Sequence, residues 1–119
     1  MKVLLADDDP DQLTLRSMLL ERCGFEPLAA DNARSASDLA TEHRPACAIV
    51  DLRMPTEQQG LALIRDLRAL SPAMHIFVLT GGDRSHLASL VESELVDEIL
   101  PKGSSTSVLL SRLKALKQS

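Results

Sequence analysis

Short apolar runs alternate with longer amphipathic stretches along this chain of 119 residues, and that alternation is what most constrains its fold. Five short runs are predicted as strands, at residues 3–6, 26–30, 46–50, 76–79 and 99–100, the last of them very short. A stretch with the apolar spacing of a helix follows each of them. Because neighbouring parallel strands need right-handed crossovers, this alternation predicts a parallel sheet covered by helices on both faces. We therefore expect a doubly wound α/β fold, a (βα)5 three-layer sandwich, in one domain over residues 1–119.

Capping residues mark the first predicted helix. It begins at Asp9 and Pro10, because an aspartate accepts hydrogen bonds from free backbone N–H groups and proline is tolerated at the first helical position. Gly24 is placed to end it. The residues at helical spacing are Leu15, Met18, Leu19 and Arg22, in a stripe widened by Leu13 and Leu20.

The remaining elements are marked in the same way. Asp31 and Asn32 cap a second helix at residues 33–43, a third runs from Gly60 to about Ser71, and a fourth with a narrow stripe covers about 84–94. A last helix begins with Ser104, Ser105 or Thr106 as its cap. Predicted inward positions are Ala36, Leu39 and Ala40 in the second helix and Leu109, Leu113 and Leu116 in the last. Pro27 cannot donate to a sheet ladder, which predicts an edge position for the second strand.

Charge and cysteine content argue against several classes of protein. A net charge of −4 does not suit a basic nucleic-acid surface, so we expect no direct nucleic-acid binding by this domain. Cys23 and Cys47 do not form a CxxC pair, which favours free thiols in a reducing compartment. The amino terminus lacks the apolar core of a signal peptide, and no apolar run approaches the roughly 18 residues of a membrane span. We expect a soluble, cytoplasmic protein without membrane contact.

Polar side chains stand at the ends of four predicted strands. In chain order they are Asp7 and Asp8 after the first strand, Asp51 after the third, Thr80 after the fourth and Lys102 after the fifth. The carboxyl ends of neighbouring parallel strands meet at one edge of a sheet, and ligands bind at that edge in open α/β folds. The sequence therefore predicts that these five side chains lie together.

Three carboxylates in one place repel each other, by about 4 kcal/mol for each pair at 4 Å and an effective dielectric constant of 20. A divalent cation would relieve this repulsion. Oxygen ligands without histidine or thiolate favour a hard ion such as Mg²⁺, which also recruits phosphate oxygens. The ammonium group of Lys102 and the hydroxyl of Thr80 would complete a site for phosphoryl transfer to a carboxylate, a reaction catalysed mainly by positioning and charge neutralisation.

With these residues in this order, the chain resembles the receiver domains of two-component response regulators, the CheY-like family, from Lys2 to Lys117. Those domains carry an acidic pair after strand one, a phosphoacceptor aspartate after strand three, threonine or serine after strand four and lysine after strand five. The resemblance implies a flavodoxin-like sheet of order 2-1-3-4-5. It also implies that Asp51 accepts a phosphoryl group from a histidine kinase or a histidine phosphotransfer protein.

The resemblance assigns a metal site to the same residues. It implies that Asp8 and Asp51 bind Mg²⁺ directly, with Mn²⁺ as the alternative ion. Asp7 is expected to act through a water molecule. The backbone carbonyl of Arg53 is expected to complete the protein ligands.

The resemblance further implies how phosphorylation is signalled. Lys102 is expected to pair with a phosphoryl oxygen, and Thr80 to turn inward and hydrogen-bond the phosphoryl group, which pulls on the segment leading to the fourth helix. In this family the surface of the fourth and fifth helices carries contacts with a downstream protein, an output domain or a second copy in a homodimer. Such a domain is not an enzyme, although it promotes its own phosphorylation and dephosphorylation and can be part of a hybrid histidine kinase.

The sequence departs from the family pattern at two positions, and two other function classes stay open. Ile99 stands where an aromatic switch residue is usual, and Gly103 follows the lysine in place of proline. The side chain of an isoleucine cannot make the large inward and outward movement of the aromatic ring that is usual at this position. A pseudo-receiver adaptor that works without phosphate therefore stays open as an alternative. The other alternative is a Mg²⁺-dependent phosphohydrolase with an aspartyl-phosphate intermediate. It is disfavoured because Arg53 stands where those phosphatases have a second aspartate.

Overall fold

The computed structural model describes residues 1–54, 56–81, 94–102 and 106–118, which contain five strands and four helices. The strands are β1 (Lys2–Ala6), β2 (Glu26–Ala30), β3 (Cys47–Asp51), β4 (His75–Thr80) and β5 (Glu98–Pro101). The helices are α1 (Pro10–Arg22), α2 (Ala33–His43), α3 (Glu57–Leu70) and a carboxy-terminal helix, Thr106–Gln118. The predicted fourth helix at about 84–94 lies outside the described residues, apart from Glu94, which is in a turn with a φ of 63°.

All five strands run parallel in one sheet of order β2-β1-β3-β4-β5. This order confirms the doubly wound, flavodoxin-like fold. β2 is an edge strand, as Pro27 predicts, and Pro27 lies opposite Val3 of β1. β3 lies at the centre with β1 on one side and β4 on the other, so Asp51 ends the middle strand.

Successive residues of a strand point to opposite faces of the sheet, so the central strands supply both halves of the core. Leu4 and Val78 pack in the cluster that contains the buried side chains of α2 and α3. Leu5 and Phe77 pack in the cluster with α1 and the carboxy-terminal helix. Because both faces are covered, the strand segments are almost uniformly apolar rather than alternating.

The caps and inward positions mostly follow the sequence prediction. Asp9 caps α1, with its Oδ1 accepting a hydrogen bond from the N–H of Asp11 at 3.0 Å, and Asn32 caps α2. The predicted inward residues of α2 and of the carboxy-terminal helix are buried or partly buried against the core; they are Ala36, Leu39, Ala40, Leu109, Leu113 and Leu116. The proposed caps Ser104 and Ser105 lie outside the described residues. Within the described ranges, no helix combines the length and apolarity needed to span a membrane.

α3 begins three residues earlier than predicted, at Glu57 rather than Gly60. Thr56 is its cap, because the Thr56 hydroxyl accepts a hydrogen bond from the N–H of Gln59 at 3.2 Å. Gly60 lies instead in the first turn, where a Cβ atom would overlap the backbone carbonyl oxygen of Leu52. Gly60 is therefore required for the close approach of α3 to the chain that follows β3.

The apolar stripe of α1 follows the prediction only in part, because Leu13 and Leu20 pack in the core whereas Arg22 is exposed. Leu15 and Met18 are 49% and 50% exposed, whereas Arg16 and Leu20 are buried. Arg16 can occupy an inward position of α1 because its guanidinium pairs with the buried carboxylate of Asp7.

Candidate functional site

The carboxyl edge of the sheet carries the residues that the sequence places at strand ends, and it brings the side chains of Asp7, Asp8, Asp51 and Lys102 close together. Asp7 directly follows β1, Asp51 ends β3, Thr80 ends β4 and Lys102 directly follows β5. These four strands are neighbours in the sheet, with β1 paired to β3, β3 to β4 and β4 to β5. The topology thus explains why residues almost a hundred positions apart in the chain share one site.

Asp7, Asp8 and Asp51 form an acidic cluster at this edge. Each contributes a carboxylate oxygen, and these oxygens all lie within 4.8 Å of one another. Asp7 is fully buried and Asp51 is nearly so, whereas Asp8 is exposed. The cluster therefore has a buried floor and an open side.

Lys102 reaches the cluster and pairs with Asp51. Its Nζ lies 2.6 Å from Oδ2 of Asp51, and the Lys102 side chain is about one third exposed. The hydrogen bond to Asp51 raises the pKa of Lys102, burial opposes that rise, and the negative charges of Asp51 and Asp7 add to it. Lys102 is thus held as a cation beside Asp51.

The backbone fixes both Asp51 and the end of β5. The second carboxylate oxygen of Asp51, Oδ1, accepts a hydrogen bond from the N–H of Arg53 at 3.2 Å. The N–H of Lys102 donates to the carbonyl of Thr80 at 2.6 Å, which joins the ends of β4 and β5. Arg53 is exposed, and its backbone N–H donates to the Asp51 carboxylate; metal coordination by its carbonyl stays a prediction.

Thr80 and Ile99 lie on the neighbouring strands. Thr80 is buried at the end of β4, opposite Pro101 of β5, and the adjacent residue Leu79 is opposite Asp51. Ile99 lies opposite Val78 and packs partly buried against the core. The side chain that replaces the usual aromatic is thus part of the apolar core, while Gly103 lies outside the described residues.

Sequence reasoning missed Arg16. Its Nη1 lies 2.5 Å from Oδ2 of Asp7, and the side chains of Arg16 and Asp7 are 9% and 0% exposed. The other oxygen of Asp7, Oδ1, accepts a hydrogen bond from the N–H of Asp9 at 2.9 Å. A signal was present, because Arg16 stands three residues after Leu13 and four before Leu20, on one face of α1. A charged residue in that row needs a buried partner.

The donor set suits a hard divalent cation. The three acidic residues supply only oxygen ligands, which is what Mg²⁺ and Mn²⁺ bind, and their oxygens are close enough to face one ion. Lys102 and Arg16 offset part of the negative charge but leave the cluster with an excess of carboxylates. The exposed side of Asp8 gives an ion access from solvent.

Comparison with known proteins gives one consistent result. A family model described as the response regulator receiver domain matches residues 3–114. The chain is 33% identical over 115 residues to the transcriptional regulatory protein SrrA of Staphylococcus aureus, an alignment that covers 97% of this chain and 47% of SrrA. The chain therefore spans about half the length of the curated relatives it matches.

Solved structures of receiver domains have the same fold as this chain. A response regulator receiver domain protein from Clostridium thermocellum is 28% identical, with a TM-score of 0.81, covering 97% of this chain and 98% of that one. A CheY-like receiver domain protein from Methanospirillum hungatei is 23% identical, with a TM-score of 0.87, covering 96% and 90%. At that lower identity the likeness concerns the fold alone.

Proposed function

The chain belongs to the response regulator receiver family, and from this premise we propose that it is a phosphorylation-dependent switch in which Asp51 is the phosphoacceptor. The observation that carries the proposal is the placement of Asp51 at the end of the central strand, with Lys102 Nζ at 2.6 Å and two further aspartates beside it. A carboxylate between a cation and an acidic cluster suits phosphoryl transfer, which depends on positioning and on neutralising charge.

In the proposed reaction an oxygen of Asp51 attacks the phosphorus atom of a phosphohistidine. A P–O bond to Asp51 forms as the P–N bond breaks, and the electron pair of that bond returns to the imidazole nitrogen of the donor. Lys102 neutralises charge on the phosphoryl oxygens once it releases Asp51. Thr80, buried at the end of the adjacent strand, donates a hydrogen bond from its hydroxyl to another phosphoryl oxygen.

The proposed metal ligands are Asp8 and Asp51 directly, Asp7 through water and the backbone carbonyl of Arg53. When bound, Mg²⁺ or Mn²⁺ supplies positive charge to the phosphoryl oxygens and orients them for in-line transfer. The residues of the chain have a separate task, which is to hold the Asp51 carboxylate fixed. The N–H of Arg53 does this from one side and Lys102 from the other.

The proposed partners are a histidine kinase or a histidine phosphotransfer protein upstream and a downstream protein or output domain. SrrA is described as a transcriptional regulatory protein, and this chain matches about half of it. We therefore propose that nucleic-acid contact, where it occurs, belongs to an output domain rather than to residues 1–119. The net charge of −4 supports this assignment.

Intact mass spectrometry after incubation with acetyl phosphate and Mg²⁺ tests the proposal. We expect one labile phosphoryl adduct on the unaltered chain and none on Asp51→Asn. The matched control is Asp38→Asn, which removes an exposed carboxylate of α2 and is expected to keep the adduct. A pseudo-receiver adaptor would show no adduct in any variant, and continued turnover of unrelated phosphate esters would indicate a phosphohydrolase.

A further inference from the structure

Arg16 is a buried cation that neither the proposed phosphoryl transfer nor the proposed metal ligands use. Its guanidinium enters the site from α1, and the ion pair with Asp7 is almost fully shielded from water, with side-chain exposures of 9% and 0%. The guanidinium stays charged at any pH at which the protein folds. A permanent positive charge is thus built into the floor of the acidic cluster.

Both oxygens of Asp7 already have donors. Oδ2 accepts from Arg16 at 2.5 Å, and Oδ1 accepts from the N–H of Asp9 at 2.9 Å. Asp8, in contrast, is exposed at the open side of the cluster. A divalent cation can therefore reach Asp8 from solvent, but it gains the charge of Asp7 only in competition with Arg16.

Distance makes this competition strong. The carboxylate oxygens of the cluster lie within 4.8 Å of one another, and Arg16 is in direct contact with one of the three carboxylates. An ion held by these oxygens would therefore lie within about one Debye length, roughly 8–10 Å, of the guanidinium. The burial of Arg16 and Asp7 limits screening of the repulsion between the two positive charges.

We propose that the buried guanidinium of Arg16 competes with the divalent cation for the carboxylate of Asp7. This competition lowers the affinity of the acidic cluster for Mg²⁺ and keeps Asp7 out of direct coordination. The inference rests on the proposed metal site and names the positioning residue that sets its affinity. Arg16 acts through its ion pair with Asp7 rather than through contact with the phosphoacceptor. Binding of Mg²⁺ is measurable without any phosphodonor, so the readout is independent of phosphorylation.

Calorimetric titration of the unphosphorylated chain with Mg²⁺ tests the proposal on Arg16→Met and Arg16→Lys. Arg16→Met removes the charge, and we expect Mg²⁺ to bind at least about tenfold more tightly. Arg16→Lys keeps a cation beside Asp7 and is expected to bind nearly as the unaltered chain does. The matched control, Arg65→Met, removes an exposed arginine of α3 and should leave the Kd unchanged. Equal affinity in Arg16→Met and the unaltered chain overturns the inference.

Asp8→Asn separates this inference from the metal site on which it rests. If the site is correct, Asp8→Asn weakens Mg²⁺ binding whether or not Arg16 is present. An unchanged affinity of Asp8→Asn for Mg²⁺ would contradict both the proposed metal site and the proposed role of Arg16. Weakened binding in Asp8→Asn together with an unaltered Kd in Arg16→Met would overturn only the role of Arg16.

A measurement on the unaltered chain keeps the test valid if Arg16→Met does not fold, because that variant leaves Asp7 buried without its cation. Nitrogen-detected NMR resolves the guanidinium signal of a hydrogen-bonded arginine. We expect the Arg16 signal to shift over the same range of Mg²⁺ concentration as the backbone amide of Asp8. A titration that shifts the Asp8 amide and leaves the Arg16 signal in place contradicts the inference.

Discussion

The two edges of the sheet use their charged side chains differently. At the carboxyl edge Lys102 and Arg16 face three crowded carboxylates. At the amino edge Arg68 and Asp97 form an ion pair, and both also hydrogen-bond to the backbone. Arg68 of α3 donates to the carbonyls of Leu95, Pro72 and Met74 at 3.2, 3.0 and 2.6 Å and to Asp97 at 2.8 Å. Asp97 in turn accepts the N–H of Ile76 at 2.8 Å.

The difference separates a candidate functional site, at the carboxyl edge, from a structural clamp, the name we give to Arg68 and Asp97 with their hydrogen bonds. Among the residues that the structure describes, Arg68 and Asp97 balance each other's charge, and their hydrogen bonds tie α3 to the segments that precede β4 and β5. The carboxyl edge keeps an excess of negative charge in a partly open cluster. Loss of a cation should therefore affect chemistry at the carboxyl edge and stability at the amino edge.

Lys102→Met should produce the largest effect. The variant removes the cation at 2.6 Å from Asp51, and we expect phosphorylation by acetyl phosphate to slow by about 10²–10³-fold, the usual cost of losing one charge-stabilising donor. Because the Lys102 side chain is about one third exposed, the free energy of unfolding should change by less than about 1 kcal/mol. Time-resolved intact mass and urea unfolding measure the two quantities. Lys114→Met, at an exposed position of the carboxy-terminal helix, is the control.

An unchanged phosphorylation rate in Lys102→Met would contradict the expectation that loss of a cation at the carboxyl edge affects chemistry. It would mean that the pair with Asp51 serves only to hold the end of β5, as Arg68 holds the start of β4.

Arg68→Met should reverse the pattern. The guanidinium is mostly buried, with 15% side-chain exposure, and its loss leaves backbone carbonyls and Asp97 without their donor. We expect the free energy of unfolding to fall by about 2–4 kcal/mol. The rate of Asp51 phosphorylation in the folded protein should stay unchanged, because the clamp lies at the opposite edge of the sheet. Urea unfolding and intact mass check this, with Arg65→Met as the exposed control on α3. A slower phosphorylation rate at full folding would show that the two edges are coupled.

The fold and most of the site were predictable because their signals are local. An apolar run that stops at Asp51, or a capping pair such as Asp9 and Pro10, can be read within a few residues, and the parallel topology then brings the strand ends together. The start of α3 was misjudged, since Gly60 serves a close approach to Leu52 that is visible only in three dimensions. Such a contact has no counterpart in the local sequence.

Arg16 was missed for a related reason. Helical periodicity assigns arginine to solvent by default, and the stripe through Leu15 and Met18 was apolar enough to satisfy the pattern. In the fold those two side chains are half exposed, while Arg16 faces Asp7, which precedes α1. The row of Leu13, Arg16 and Leu20 indicates an inward arginine, but only the position of α1 over the carboxyl edge shows that Asp7 is its partner.

The smallest expected effect concerns the pH dependence of the clamp. Burial alone raises the pKa of Asp97, but the hydrogen bonds from the N–H of Ile76 and from Arg68 outweigh it and hold that pKa below the ordinary value of 3.8. A carboxyl with a lowered pKa in the folded state stabilises the protein fully above its unfolded pKa. That contribution is lost as the pH falls through the lower, folded value.

Asp97→Asn should therefore reduce stability by the same amount at every pH above about 5, and by progressively less as the pH falls below about 4. Because the Asp97 side chain is 38% exposed, solvent screening should keep the difference at neutral pH to about 1 kcal/mol or less. Urea unfolding at a series of pH values measures the difference between the variant and the unaltered chain, with Asp38→Asn as the exposed control. A difference that stays constant down to the lowest pH would mean that Asp97 acts through its shape and hydrogen bonds rather than its charge, and the amino edge would then not be an electrostatic counterpart of the carboxyl edge.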